Sequence, residues 1–247
     1  MSRPPRKISE TGYYHIIMRG IGKQMLFEEP NDYQYYIWLL GKYSEDTGAS
    51  VCAYCLMDNH VHLLIFDRVG ALPLFIKKIG ISYSSYFNKR YQRSGHLFQD
   101  RYKSETVEDD TYLLSVFKYI LRNPQKAGIC KAEEYTWSSY KLYGNKSSFV
   151  NTETLCGMLG SFEQYAEFIS REDSGVCMEY GSEKIDDERS SEIVKRLLGT
   201  DSGTAIQSYP RAQRNEALIK LLRAGMSIRE VERCTGVSRG IIQELIW

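Results

Sequence analysis

Two histidines stand one residue apart in the apolar run "LMDNHVHLLIF", residues 56–66, of a chain with only four histidines in 247 residues. In a β-strand, residues two apart share a face, so His60 and His62 project side by side while Val61 and Leu63 turn into a core. Two neutral imidazoles so placed can share one metal ion or grip one phosphate; they can equally be half-buried residues with ordinary hydrogen-bond partners. A second stretch, "SVFKYILRNPQKAG" (115–128), puts Tyr119 and Asn123 four apart on one helical face with Ser115 above them. Val116, Phe117 and Ile120 can supply that helix's core face. A phenol hydroxyl and an amide oxygen can then approach the imidazole pair together. Tyr119 taken alone would read as structural, because the chain has 19 tyrosines.

Cys52 and Cys55 precede the histidines, and C-x₂-C with H-x-H suggests zinc. In a regular strand, however, residues three apart face opposite sides, and Ala53-Tyr54 offers no Gly or Pro for a ligand knuckle. His15, on an earlier strand with Arg19 following on the same face, reads as a packed sheet residue rather than another ligand.

The elements that must position these groups can be read from periodicity and punctuation. "GYYHIIMRG" (12–20) reads as a strand. A helix follows, capped by Asn31 or Asp32 and ending near Gly48. "ASVCAYCLM" and "HVHLLIF" are strands joined by an Asp58-Asn59 turn. Pro73 opens a second helix whose cations cluster toward one end, and "HLFQDRYKSETVE" reads as a strand or hairpin. Asp110 caps the helix carrying Tyr119, and Pro124 stops it. This order predicts an α+β fold, a ferredoxin-like antiparallel sheet with helices, over residues 1–147. Residues 148–208 read as a helical, acidic connector. Residues 209–247 read as a small all-α helix-turn-helix unit. Its second helix has Ser227 and Glu230 as a capping box and its last is capped by Ser238. Ser238, Arg239 and Gln243 sit where base-reading side chains usually sit; a trihelical packing or dimerisation module is the alternative.

The net charge of +1 conceals segregation. Lys77 to Lys103 holds seven Lys/Arg against one acid, interleaved with Tyr83, Tyr86, Phe87, Tyr91, Phe98 and Tyr102. Cations with rings for stacking suit single-stranded nucleic acid, about half of the rings being core. Lys89, Arg90, Arg93, Arg101 and Lys103 are the candidate phosphate contacts there. Arg3, Arg6 and Lys7 form a basic tail that can reach a groove. Lys118 and Arg122 flank Tyr119 and either meet phosphate or are solvated. The N-terminus lacks a signal-peptide core and no run of about 18 apolar residues occurs, so no membrane span is expected. Six scattered cysteines (52, 55, 130, 156, 177 and 234) suggest a reducing cytoplasm.

"MDNHVHLLI" resembles the His-hydrophobic-His motif of single-tyrosine HUH nucleases and transposases. "YILRNPQKAG" resembles the "YIxxNPxxAG" signature of the REP-associated tyrosine transposases. "GYYHIIMRG", "SGHLFQDRYKS" and "YTWSSY" resemble further family segments in family order, over about residues 9–143. Asp58 stands where proline is usual and Phe98 where tryptophan is common; neither change removes a reactive group. The resemblance implies His60 and His62 as ligands of Mg²⁺ or Mn²⁺, Asn123 as the third protein ligand and Tyr119 as nucleophile. It implies cleavage and rejoining of single-stranded DNA at hairpin repeats in the bacterial nucleoid, by a monomer or homodimer. Duplex DNA would engage the C-terminal unit. The rival expectations are a non-catalytic DNA-binding regulator and a zinc hydrolase.

Overall fold

A computed structural model describes residues 6–146, 148–171, 188–200, 202–224, 226 and 228–245. Four strands form its sheet: β1 (Tyr13–Arg19), β2 (Ser50–Met57), β3 (His60–Phe66) and β4 (Lys103–Val107). Their order is β2-β3-β1-β4, and every pairing is antiparallel. Helix α1 (Pro30–Thr47) connects β1 to β2, and α2 (Leu72–Arg90) connects β3 to β4. That connectivity is the split βαβ pattern expected from the sequence. The chain then adds α3 (Asp110–Leu121) and the short α4 (Asn123–Lys126).

Alternation along β3 decides the layers. Val61, Leu63 and Ile65 pack with α1 and α2 residues such as Tyr36, Leu40, Phe75 and Ile79. Leu64 packs with Val116, Phe117 and Ile120 of α3 on the other face. Helices therefore cover both faces of the sheet. Strand β2 keeps this pattern only because its register shifts between Val51 and Ala53, where Cys52 is bulged out of the ladder. The bulge places Cys52 and Cys55 on the same, α3-facing side, against the opposite-face expectation of a regular strand.

Two helix starts differ from expectation. The cap of α1 is Glu29, because Pro30 needs no N–H partner in the first turn. Asp32 instead accepts the backbone N–H groups of Glu28 at 2.9 Å and Glu29 at 3.0 Å. The cap of α3 is Asp109, which accepts the Tyr112 N–H at 2.7 Å. Gly48 does close α1, in the left-handed region with φ 80° that its missing Cβ permits.

The stretch expected as a connector is divided between two cores. Helices α5 (Glu153–Leu159) and α6 (Phe162–Ser170) contribute Leu155, Tyr165 and Ile169 to the α3 face. Val194 of α7 (Glu188–Leu198) and Ile206 pack instead with α8 (Arg211–Arg223), α9 (Ile228–Thr235) and α10 (Arg239–Glu244). This third core docks on the β1–α1 loop. Met25 belongs to it, and its N–H donates to the Gly236 carbonyl at 2.7 Å. Arg214 and Glu28 form a buried pair at 2.9 Å; truncating one partner of such a pair costs about 3–5 kcal/mol. Gly236 has φ +71°, and a Cβ there would lie 2.1 Å from the Lys23 carbonyl oxygen, so glycine is required for this contact. Ser227 of the expected capping box, Cys177 and Arg3 lie outside the described residues. Among the described residues, no helix is long and apolar enough to cross a membrane.

Candidate active site

Strand β3 ends beside β1, with Arg19 opposite His60 and Ile17 opposite His62. Helix α3 crosses above them and brings the Tyr119 ring to 5.4 Å from the His62 ring, edge-on at 76°. The His60 and His62 rings are 5.0 Å apart and nearly perpendicular. The helix breaks at Arg122 ahead of Pro124, yet Asn123 stays in place because its amide donates to the Tyr119 carbonyl at 3.0 Å. His60, His62, Tyr119 and Asn123 line one pocket of ≈ 230 Å³ with Arg19, Met57, Lys126 and Ala127. The two sequence motifs, about 60 residues apart, thus meet at one point.

Each imidazole has one nitrogen engaged away from the pocket. His60 Nδ1 lies 2.7 Å from Asn59 Oδ1, and His62 Nδ1 lies 3.0 Å from His15 Nε2. Nε2 of each is left for the pocket, and the Asn123 side chain is hydrogen-bonded to His60. Burial, then the Arg19 charge, holds the His60 imidazolium down to about 4 despite the opposing Asn123 contact. Burial, then His60, His15 and Lys126, holds His62 well below the usual range. Both rings are therefore neutral at pH 7, the protonation state in which imidazole can donate a lone pair to a metal.

Two imidazoles and an amide oxygen fit a divalent cation with mixed nitrogen and oxygen ligands. Among the described residues no three His, Cys, Asp or Glu side chains cluster as a metal site; the third polar side chain beside the two histidines is the Asn123 amide. The cysteines fit zinc poorly. Cys52 and Cys55 are buried among apolar side chains, which pushes the Cys52 thiol up to about 12 and Cys55 well above its usual range, away from the thiolate that zinc binds.

The expected cations divide sharply. Lys118 is buried, with its ammonium over the Phe168 ring at 5.0 Å, and the Arg122 guanidinium donates to the Arg171 carbonyl. Neither lines the pocket that holds Tyr119, where the sequence places them as phosphate contacts. Lys126 does line it, its ammonium 4.3 Å from the centre of the Tyr119 ring, and Arg19 stands opposite His60. Spacing carries a signal for Lys126, which lies seven residues, about two helical turns, beyond Tyr119. Arg19 and His15 depend on strand register that a sequence alone does not display.

Of the six rings interleaved with the basic segment, Tyr83 and Phe87 are fully buried. Tyr86 and Tyr91 donate to buried Asp32 at 2.9 and 2.6 Å. Phe98 and Tyr102 alone of the six line the groove of ≈ 780 Å³ between α2 and residues 95–102, with Lys77 and Arg101. Arg6 stacks on Tyr102 at 3.6 Å, while Lys7, Lys89 and Arg101 are exposed and Lys103 is half-buried. Arg90 is tied to Glu29 at 2.5 Å and Arg93 to Gln24 at 2.7 Å. In the last helix Ser238 is fully buried and cannot read a base. Gly240 is packed against the Tyr91 carbonyl. Arg239, paired with Glu232 at 2.9 Å, and Gln243 remain at the edge of a ≈ 480 Å³ groove with Arg93 and His96.

Residues 9–123 match the model of the family described as "Transposase IS200 like". Two solved structures resemble the chain in part. A REP-associated tyrosine transposase bound to a REP hairpin aligns with TM-score 0.47 and 15% identity, over 60% of this chain and 87% of that one. A Deinococcus radiodurans R1 protein described as a candidate transposase aligns with TM-score 0.34 and 21% identity, over 48% and 95%. No curated protein matches the chain significantly. The matched segment contains β1 to β4, α3 and all four pocket groups named from the sequence, so over residues 9–123 the chain is similar to the IS200-like transposases.

Proposed function

We propose that this chain is a metal-dependent, transposase-like endonuclease that cleaves and rejoins single-stranded DNA at hairpin repeats through Tyr119. The observation carrying this reading is the meeting of Tyr119, His60, His62 and Asn123 in one pocket of ≈ 230 Å³. His60 Nε2, His62 Nε2 and the Asn123 amide oxygen would hold Mg²⁺ or Mn²⁺. Bound there, the cation supplies Lewis-acid polarisation of the scissile phosphate.

The residues do the rest. The Tyr119 hydroxyl oxygen attacks phosphorus, the P–O3′ bond breaks, and the phenol proton is lost as the departing 3′-oxygen gains one. The product is a 5′-phosphotyrosine and a free 3′-hydroxyl; the reverse attack rejoins strands without ATP, because the phosphodiester energy is retained. A phenol with a normal pKa near 10 is a weak nucleophile at pH 7. Lys126, over the Tyr119 ring, stabilises its phenolate, and Arg19 meets the phosphate. Tyr119 faces the histidines of its own chain, which supports a complete site within one subunit. The basic groove holding Phe98, Tyr102, Lys77 and Arg101 takes the single strand. The C-terminal helices add affinity for duplex or structured DNA through Arg239 and Gln243.

The test is covalent trapping: labelled single-stranded hairpins with Mn²⁺, resolved on a denaturing gel beside Tyr119→Phe and His60→Ala/His62→Ala. A metal-dependent adduct lost in both variants is expected. An adduct persisting in Tyr119→Phe would move the chemistry to another tyrosine. Tight hairpin binding with no adduct across a broad library would make the chain a DNA-binding regulator.

A further inference from the structure

One buried histidine is not among the proposed ligands. His15 is completely buried in the middle of β1, and its side chain lies on the α3 side of the sheet. Register explains its company. Glu105 of β4 is directly opposite His15, and His62 of β3 is its diagonal neighbour, since His62 pairs with Ile17 and His15 with Leu64. A row of three polar side chains therefore crosses three strands, from the sheet edge to the pocket: Glu105, His15, His62.

The contacts within the row are directional. His15 Nε2 and His62 Nδ1 are 3.0 Å apart, so one of these nitrogens carries the proton and the other accepts it. If His15 Nε2 were the donor, its Nδ1 would present a lone pair to the Glu105 carboxylate, 3.8 Å away. His62 would then carry its proton on Nε2 and have no lone pair to offer the pocket. If His62 Nδ1 is the donor, His15 holds its own proton on Nδ1, facing the carboxylate, and His62 Nε2 is free to ligate. The Glu105 charge selects the second arrangement. Partners of this kind, behind a ligating histidine, orient the ring and fix its tautomer.

The geometry points to Glu105 and His15 as positioning residues that lock His62 in its Nδ1–H tautomer, with the Nε2 lone pair aimed at the pocket. This inference rests on His62 as a metal ligand, but the tautomer is a property of the metal-free protein and can be read without metal or DNA.

The experiment is long-range ¹H–¹⁵N NMR on metal-free, full-length protein labelled at histidine, followed by titration calorimetry with Mn²⁺. In the wild type, His62 is expected to be protonated at Nδ1. In His15→Phe it should shift toward the Nε2–H form, with Mn²⁺ affinity falling about 10- to 100-fold. His15→Gln, which returns an acceptor near the Nε2 position, should restore most of both. Glu105→Ala removes a partly exposed side chain and should shift the tautomer even if His15→Phe fails to fold. Nε2–H in the wild type overturns the proposal, as does a His62 tautomer indifferent to Glu105→Ala and His15→Gln alike. The correct tautomer in a protein that binds no Mn²⁺ upholds the relay and removes the metal reading instead.

Discussion

The two faces of the central sheet are made by the same strands and do opposite things. Toward α1 and α2, β3 presents Val61, Leu63 and Ile65, each fully buried among aliphatic and aromatic side chains. Toward α3 it presents His60, His62, Leu64 and Phe66, and only Leu64 and Phe66 are ordinary packing residues. One face gains stability from burial. The other gives up part of that gain to hold two neutral imidazoles, a third histidine and a phenol where aliphatic side chains would otherwise pack. Because side chains alternate with a period of two, a single strand can serve both purposes, and a slip of one residue would exchange them.

The two faces should differ most when a single atom is removed on the α3 side. Tyr119→Phe should abolish adduct formation, lowering strand cleavage on the order of 10⁴-fold or more, while the melting curve stays near wild type. A Tyr119→Phe protein that still cleaves at wild-type rate would show that the α3 face is only another core. On the opposite face, Leu63→Ala should cost about 2–5 kcal/mol in denaturant unfolding, with adduct formation per folded molecule unchanged. Replacing both members of the buried pair, His15→Leu/His62→Leu, should sharpen the contrast. Mn²⁺ binding is lost, but stability stays within about 1 kcal/mol of wild type or rises, since both partners of the buried hydrogen bond go together and the Glu105 carboxylate keeps its partial exposure to water.

The smallest effect is in pH. The His60 imidazole has its folded-state pKa pushed to about 4 from an ordinary 6.5. Between those values the unfolded chain binds a proton that the folded chain does not, so stability falls as pH drops from 6.5 toward 4 and is flat in this group above 6.5. His60→Asn should reduce that slope in melts recorded across the window. Equal slopes in both proteins would contradict the burial of the ring.

How much was legible in the sequence follows from which interactions are local. The β2–β3 turn and the alternation at His60 and His62 are local patterns and are present; Tyr119 and Asn123 stay neighbours, but across the end of α3 at Leu121 rather than within one helix. Pro124 marked the end of α3 for the same reason. The place of His15 was not legible, because it depends on the diagonal neighbour across two paired strands. Lys118 faces elsewhere because adjacent residues on a helix point about 100° apart, and Arg122 because it lies past the last residue of α3, Leu121. Asp32, read as a helix cap, instead gathers the hydroxyls of Tyr86 and Tyr91 at 2.9 and 2.6 Å. That removes two rings from the set available for bases. Ser238 looked like a solvent-facing cap and is buried, since α10 is packed onto the loop after α2 rather than projecting from it.

The bulge at Cys52 leaves β2 with a spare residue. Val51 pairs with Ile65 and Ala53 with Leu64, so the ladder already closes as if position 52 were absent. Deleting Cys52 shortens the chain without changing which way any later residue of β2 faces, whereas deleting Leu63 from β3, which has no spare residue, would turn one end of that strand inside out. Position 52 is thus a site that should tolerate a one-residue change of length while the histidine face is preserved. Amide protection at His60 and His62 should survive the first deletion and collapse in the second.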